Sequence, residues 1–137
     1  MKLSAVLLSS VAAVTSAAPS QLTERAGGSG CVKPGDGKCA LVVFGSLPVG
    51  GTGFQHGASV YDKNCNELGK SGSHPGASNF LVKSSLKYDV NVYVQGGFES
   101  TGTFWYAGTK YNINHDHCGD CGSSLSANKC CSMSFKC

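Results

Sequence analysis

Beyond residue 25 the sequence has no arginine, and over all 137 residues it has one tryptophan, two methionines and four prolines. Without arginine there is no planar fork to grip phosphate through paired hydrogen bonds. The nine lysines after that point are scattered and stand against seven acidic residues, so the basic run that nucleic acid needs is missing. Nucleic acid is therefore not an expected partner. None of the seven asparagines begins an Asn-x-Ser/Thr sequon, so N-glycosylation is not expected. After residue 17 no segment approaches the about 20 apolar residues of a membrane span. No stretch keeps a helical period, and the nineteen glycines recur too often to allow one.

What is present begins with a short export signal. Met1-Lys2 gives one positive charge, residues 3–14 are apolar or small, and Thr15-Ser16-Ala17 supplies small residues at the exit. Cleavage after Ala17 leaves Ala18 ahead of Pro19. Residues 1–17 read as a signal peptide, and 18–30 as a propeptide or flexible tail, Gly- and Ser-rich and without periodicity. Residues 31–137 form one domain. All eight cysteines lie in it: Cys31, Cys39, Cys65, Cys118, Cys121, Cys130, Cys131 and Cys137. An even number in an exported chain implies disulfides, of which eight cysteines allow 105 complete pairings. The expected location is secreted and extracellular.

The domain reads as all-β: a small antiparallel sandwich or barrel of six to seven short strands, stapled by disulfides. Cys39–Leu47 is a continuous apolar run fit for a buried strand. Phe54–Asp62 sets Phe54, His56, Ala58 and Val60 on one face. Asp62–Gly69 is a turn cluster and 70–78 a loop. Asn79–Ser84 is a strand. Tyr88–Gln95 is the clearest strand, with Tyr88, Val90, Val92 and Val94 alternating with Asp89, Asn91, Tyr93 and Gln95. Thr101–Thr109 and Lys110–Asn114 follow, and a turn of helix is expected after Ser123.

The last 23 residues, from His115 on, hold five of the cysteines. On a final strand Cys131–Cys137, residues Cys131, Met133, Phe135 and Cys137 face the core. Cys130 and Cys131 then point to opposite faces and need different partners. His115, His117, Cys118 and Cys121 resemble zinc ligands in type, but disulfides account for the sulfurs, and no metal or cofactor is expected. Cys118-Gly119-Asp120-Cys121 has redox spacing but lacks the helix start that stabilises a thiolate. His115-Asp116-His117, Glu67 and Glu99 are acid–base ingredients without an ordering motif. Gly69-Lys70-Ser71-Gly72 misses the spacing of a presented nucleophile. Catalysis is thus not the leading expectation.

In Phe104-Trp105-Tyr106, Trp105 points opposite to its neighbours. If outward, it would join Tyr93 or Tyr111 in an aromatic patch able to stack on sugar rings or anchor a protein.

With its signal region, Leu22-Thr23-Glu24-Arg25, small size and eight cysteines, the chain resembles fungal small secreted cysteine-rich proteins, a class rich in effector candidates. The Leu22–Arg25 stretch is similar to the single-basic processing sites of their proproteins, which implies cleavage after Arg25; the alternative is a disordered tail in which the arginine is incidental. The resemblance implies a protein that binds a host protein or cell-wall glycan without catalysis, and a monomer is expected. The alternatives are an antimicrobial or killer-toxin-like protein and a small hydrolase of RNA or glycan.

Overall fold

The structure is a computed structural model, which describes residues 25–26, 30–48, 51, 53–97, 100–121 and 128–137. The expected signal peptide, most of the 18–30 segment, Glu99 and the helical turn after Ser123 lie outside the described residues. Among those described there is no helix, and hence none long and apolar enough to cross a membrane. The strands are β1 (Arg25–Ala26), β2 (Cys31–Val32), β3 (Lys38–Ser46), β4 (Gln55–Tyr61), β5 (Glu67–Lys70) and β6 (His74–Pro75). They continue with β7 (Ser78–Val82), β8 (Val90–Gln95), β9 (Thr101–Tyr106), β10 (Thr109–Ile113), β11 (Cys118–Asp120) and β12 (Asn128–Lys136). The seven of five residues or more, β3, β4, β7, β8, β9, β10 and β12, account for the strands legible in the sequence.

Two antiparallel sheets carry the fold. One has the order β11-β12-β3-β4-β5, with β6 also pairing β4; the other is β10-β9-β8-β7. Their facing sides meet in one core. Leu41, Val43, Ala58, Val60, Met133 and Phe135 come from the larger sheet, and Phe80, Val82, Val90, Val92, Val94 and Phe104 from the smaller. Phe104 lies at its centre, 4.9 Å from the Tyr111 ring and edge-on to Phe135 at 5.6 Å.

The far side of the larger sheet is covered too. Cys31 of β2 packs on Ala40, Val42, Tyr61 and Cys130, and the Val32 N–H donates to the buried Ser132 hydroxyl at 3.1 Å. Burial on both faces explains why β3 reads as an unbroken apolar run, whereas β8 alternates. The bridge Cys31–Cys65 anchors this layer. Cys65 has a left-handed φ of 63°. The Asp62 carboxylate holds the turn before it by accepting from the Asn64 and Asn66 N–H groups, both at 2.8 Å. The Asn66 side-chain amide, which also donates to it, is the main reason that the Asp62 pKa lies below its usual value.

Several boundaries differ from the sequence reading. The turn and loop over 62–78 contain β5 and β6, two short strands that pair with the two ends of β4. Neither has enough alternating residues to show a period. Likewise β11 is a three-residue strand at Cys118–Asp120, too short to show a period. Tyr88 was assigned to the core face, but it precedes β8 and is 47% exposed, whereas Val90, Val92 and Val94 are fully buried.

The four bridges are Cys31–Cys65, Cys39–Cys137, Cys118–Cys131 and Cys121–Cys130, with no free cysteine. Cys130 and Cys131 take different partners, as their opposite faces require. Four disulfides in so small a chain are compatible with an extracellular location.

Candidate functional site

One sheet face is left uncovered among the described residues: the outer side of β10-β9-β8-β7. The strand register determines what stands on it. Lys110, Trp105, Asn91 and Leu81 form one row across the four strands, and Asn112, Thr103, Tyr93 and Asn79 the next. Trp105 and Tyr93 are therefore diagonal neighbours, a spacing that large side chains can bridge. Tyr93 is 37% exposed, Leu81 53%, and Trp105 is half-buried. The Lys110 ammonium lies 5.6 Å from the Trp105 ring centroid and the Lys87 ammonium 5.3 Å from that of Tyr88. Both contacts have cation–π geometry.

Tyr111 does not belong to this group. It pairs with Phe104 on the inner row and stacks on that ring. The reason is the connection between β9 and β10. Ala107-Gly108 makes a two-residue turn with φ of 49° and 80°, the sign pattern of a type I′ hairpin. Tyr106 then stands opposite Thr109, which gives Tyr111 the parity of Phe104 and Lys110 that of Trp105.

At one end of this face Tyr88, Asp89, Asn91, Trp105 and the turn Ala107-Gly108 line a hollow of about 430 Å³. A flat indole, a carboxylate and an amide share its walls. Such a set offers an apolar platform with hydrogen-bonding groups at its rim. Tyr88 and Asp89 precede β8 and line the hollow beside Trp105, while the Tyr88 ring stands edge-on to the buried Tyr106 at 6.0 Å.

The acid–base residues are distributed differently from what their order in the chain suggests. His56 is fully buried in β4. Its Nε2–H donates to the Gly96 carbonyl at 3.2 Å, so Nδ1 accepts from the Ser100 hydroxyl at 2.8 Å. Burial, only partly opposed by the Gly96 carbonyl, lowers the His56 pKa from its ordinary value. This serine–histidine pair has bonding distance, but both members are buried, so it ties β4 to the 96–100 connection rather than presenting a nucleophile. His115 donates from Nε2 to the Ser100 carbonyl at 3.2 Å. His117 lines a separate groove beside Ser132. His115, Cys118 and Cys131 place possible ligand atoms within 4.8 Å of one another, but both sulfurs are joined in one bridge and a thiolate is needed to hold a metal. Cys118 and Cys121, the residues with redox spacing, are bonded to β12 and not to each other.

No protein-family model, curated protein or solved structure matches this chain.

Proposed function

We propose that this is a secreted, effector-like binding protein whose outer sheet face, centred on Trp105, holds a cell-wall glycan. The observation that supports this most is the grouping of Trp105 and Tyr93 with Asn91 on the one sheet face that is open among the described residues, with Asp89 and Tyr88 lining the hollow at its end. A pyranose ring presents an apolar face to an aromatic plane and hydroxyls at its edge. The Asp89 carboxylate and the Asn91 amide are placed to meet those hydroxyls. The Lys110 ammonium against Trp105 keeps the indole in place without covering the hollow.

The test is depletion of the protein from solution by insoluble chitin, β-glucan and cellulose, measured beside Trp105→Ala and Tyr93→Ala. Binding to one polymer should weaken about tenfold for each aromatic removed, equivalent to about 1.4 kcal/mol. Trp105 and Tyr93 both face outward, so both variants should keep the native circular dichroism spectrum. Retention by none of the polymers, or equal retention of the variants, would reject the glycan reading.

A host protein is the second reading, and Leu81 favours it. Its exposed apolar side chain continues the Trp105 row, and a sugar edge gives it no partner. If Leu81→Asp blocks association with a host protein while the polymers are not bound, this reading replaces the first.

A further inference from the structure

Strand β12 pairs with β3 along its whole length but with β11 only at its start. Cys118, Gly119 and Asp120 stand opposite Cys131, Cys130 and Lys129. One more bond, from the Ser132 N–H to the His117 carbonyl at 3.1 Å, ends the ladder. Successive residues of a strand turn their N–H and C=O to alternate sides. Ser132 faces the β11 side, so Ser134 and Lys136 face it too, while Met133 and Phe135 face β3. Among the described residues no strand lies against Ser134 and Lys136 on that side.

The chain leaves the ladder at His117 and runs back through Asp116 and Asn114 to β10. The space between is a groove of about 410 Å³. Phe104, Tyr111 and Met133 give it an apolar floor; Asn112, Asn114 and Asp116 stand on the other side. A smaller hollow of about 170 Å³, lined by Val32, Lys33 and Pro34, extends it past Ser132 and Ser134. Among the described residues β10 pairs only with β9, so a second strand edge borders the same opening.

We propose that this groove receives an extended peptide of a partner protein, added as a strand antiparallel to β12 and in line with β11. The backbone groups of Ser134 and Lys136, which pair with no strand on this side among the described residues, repeat at about 6.7 Å, the two-residue spacing of another strand. That match favours a peptide over other polymers, because main-chain bonds give affinity and alternate side chains give selectivity. A residue turned inward would meet the half-buried Tyr111 ring, with Met133 and Phe104 buried behind it, so it should be apolar. Its neighbours would lie on the Val32 and Ser132 side of the sheet, where Lys33 and Ser134 also line the hollow, and should carry hydroxyl or amide groups. Edges of this kind are ordinarily blocked by proline or a covering loop; β12 holds no proline, and among the described residues no strand pairs with Ser134 on this side.

This surface is separate from the Trp105 face, and the experiment keeps the two apart. A heptapeptide library displayed on phage is panned against the immobilised protein, and the enriched consensus is made as a synthetic peptide. The consensus should hold a single apolar residue among polar β-formers. The peptide should slow amide exchange at Ser134 and Lys136 in the unaltered protein. Ser134→Pro removes an N–H that points away from β3 and should weaken binding about tenfold or more, while Trp105→Ala leaves it unchanged. Three results would overturn the proposal: no enrichment over uncoated support, a bound peptide that leaves Ser134 and Lys136 exchange unaltered, or concentration-dependent dimerisation abolished by Ser134→Pro. The last would assign the edge to a second copy of this chain.

Discussion

The four bridges should differ in their contribution to stability, and the topology says in what order. Cys39–Cys137 spans 98 residues, whereas Cys121–Cys130 spans 9 and is nested inside Cys118–Cys131, which spans 13. Loop-closure entropy alone gives about 4.7 kcal/mol for the first and about 2.6 kcal/mol for the second. Nesting lowers the second figure further. With Cys118–Cys131 intact, Cys121 is held three residues from one end of a bridge and Cys130 sits beside its other end, so breaking their own bond frees little chain. The same shortcut trims the 98-residue loop by 13 and changes its value by only about 0.1 kcal/mol. Side-chain losses nearly cancel, because each pair has one buried sulfur, Cys39 in one and Cys130 in the other. Double alanine variants of each pair, unfolded in urea without reductant, should therefore differ by at least about 2 kcal/mol, with the Cys39–Cys137 variant the weaker. Its m-value should also rise, because its denatured chain expands more. Coincident transitions by Trp105 fluorescence and far-ultraviolet circular dichroism would license the two-state treatment. Equal losses, or a larger loss for Cys121–Cys130, would refute the loop argument and place the stabilisation in native contacts instead.

Three further outcomes are expected. His56 takes up a proton less readily when folded than the about 6.5 of a free imidazole. Below that pH the unfolded chain therefore binds the extra proton, and stability falls until the folded pKa is reached; His56→Gln should flatten the fall in urea midpoint between pH 7 and 5, and an unchanged slope would exclude His56 as its source. Ala107 holds a φ of 49°, which costs a non-glycine residue about 1–2 kcal/mol; Ala107→Asn, suited to a type I′ turn, should raise the thermal midpoint, and a lowered one would show that the turn needs the alanine methyl. Phe104→Ala empties the centre of the core and should cost about 3–5 kcal/mol in urea unfolding; a loss under about 1 kcal/mol would mean that the sheets close over the gap.

The β class was legible because two signals were local. In β8 the alternation of Val90, Val92 and Val94 with Asn91, Tyr93 and Gln95 defined both faces of one strand. At the C-terminus the adjacency of Cys130 and Cys131 sent their sulfurs in opposite directions, and Met133 and Phe135 joined Cys131 inward. The even cysteine count in a chain with an export-like start pointed to bridges. The candidate site was less accessible. Trp105 was identifiable as the odd member of Phe104-Trp105-Tyr106, but which side faced solvent depended on what covered the sheet. Tyr111 went to the core because a two-residue turn at Ala107-Gly108 fixed the register, and a shift of one residue exchanges the faces of a whole strand. Tyr88 stays half exposed at the rim of the core, edge-on to Tyr106, because β8 starts two residues later than the alternation suggests.

Local patterning thus determined strand identity and the inward side of each strong strand, since those depend on residues two apart in the chain. Bridge partners, the covering of β3 on both sides, the His56–Ser100 contact and the end of the β11–β12 ladder at Ser132 were decided only in three dimensions. Each joins residues distant in sequence, and their meeting depends on register and layer order, which no short window of residues encodes.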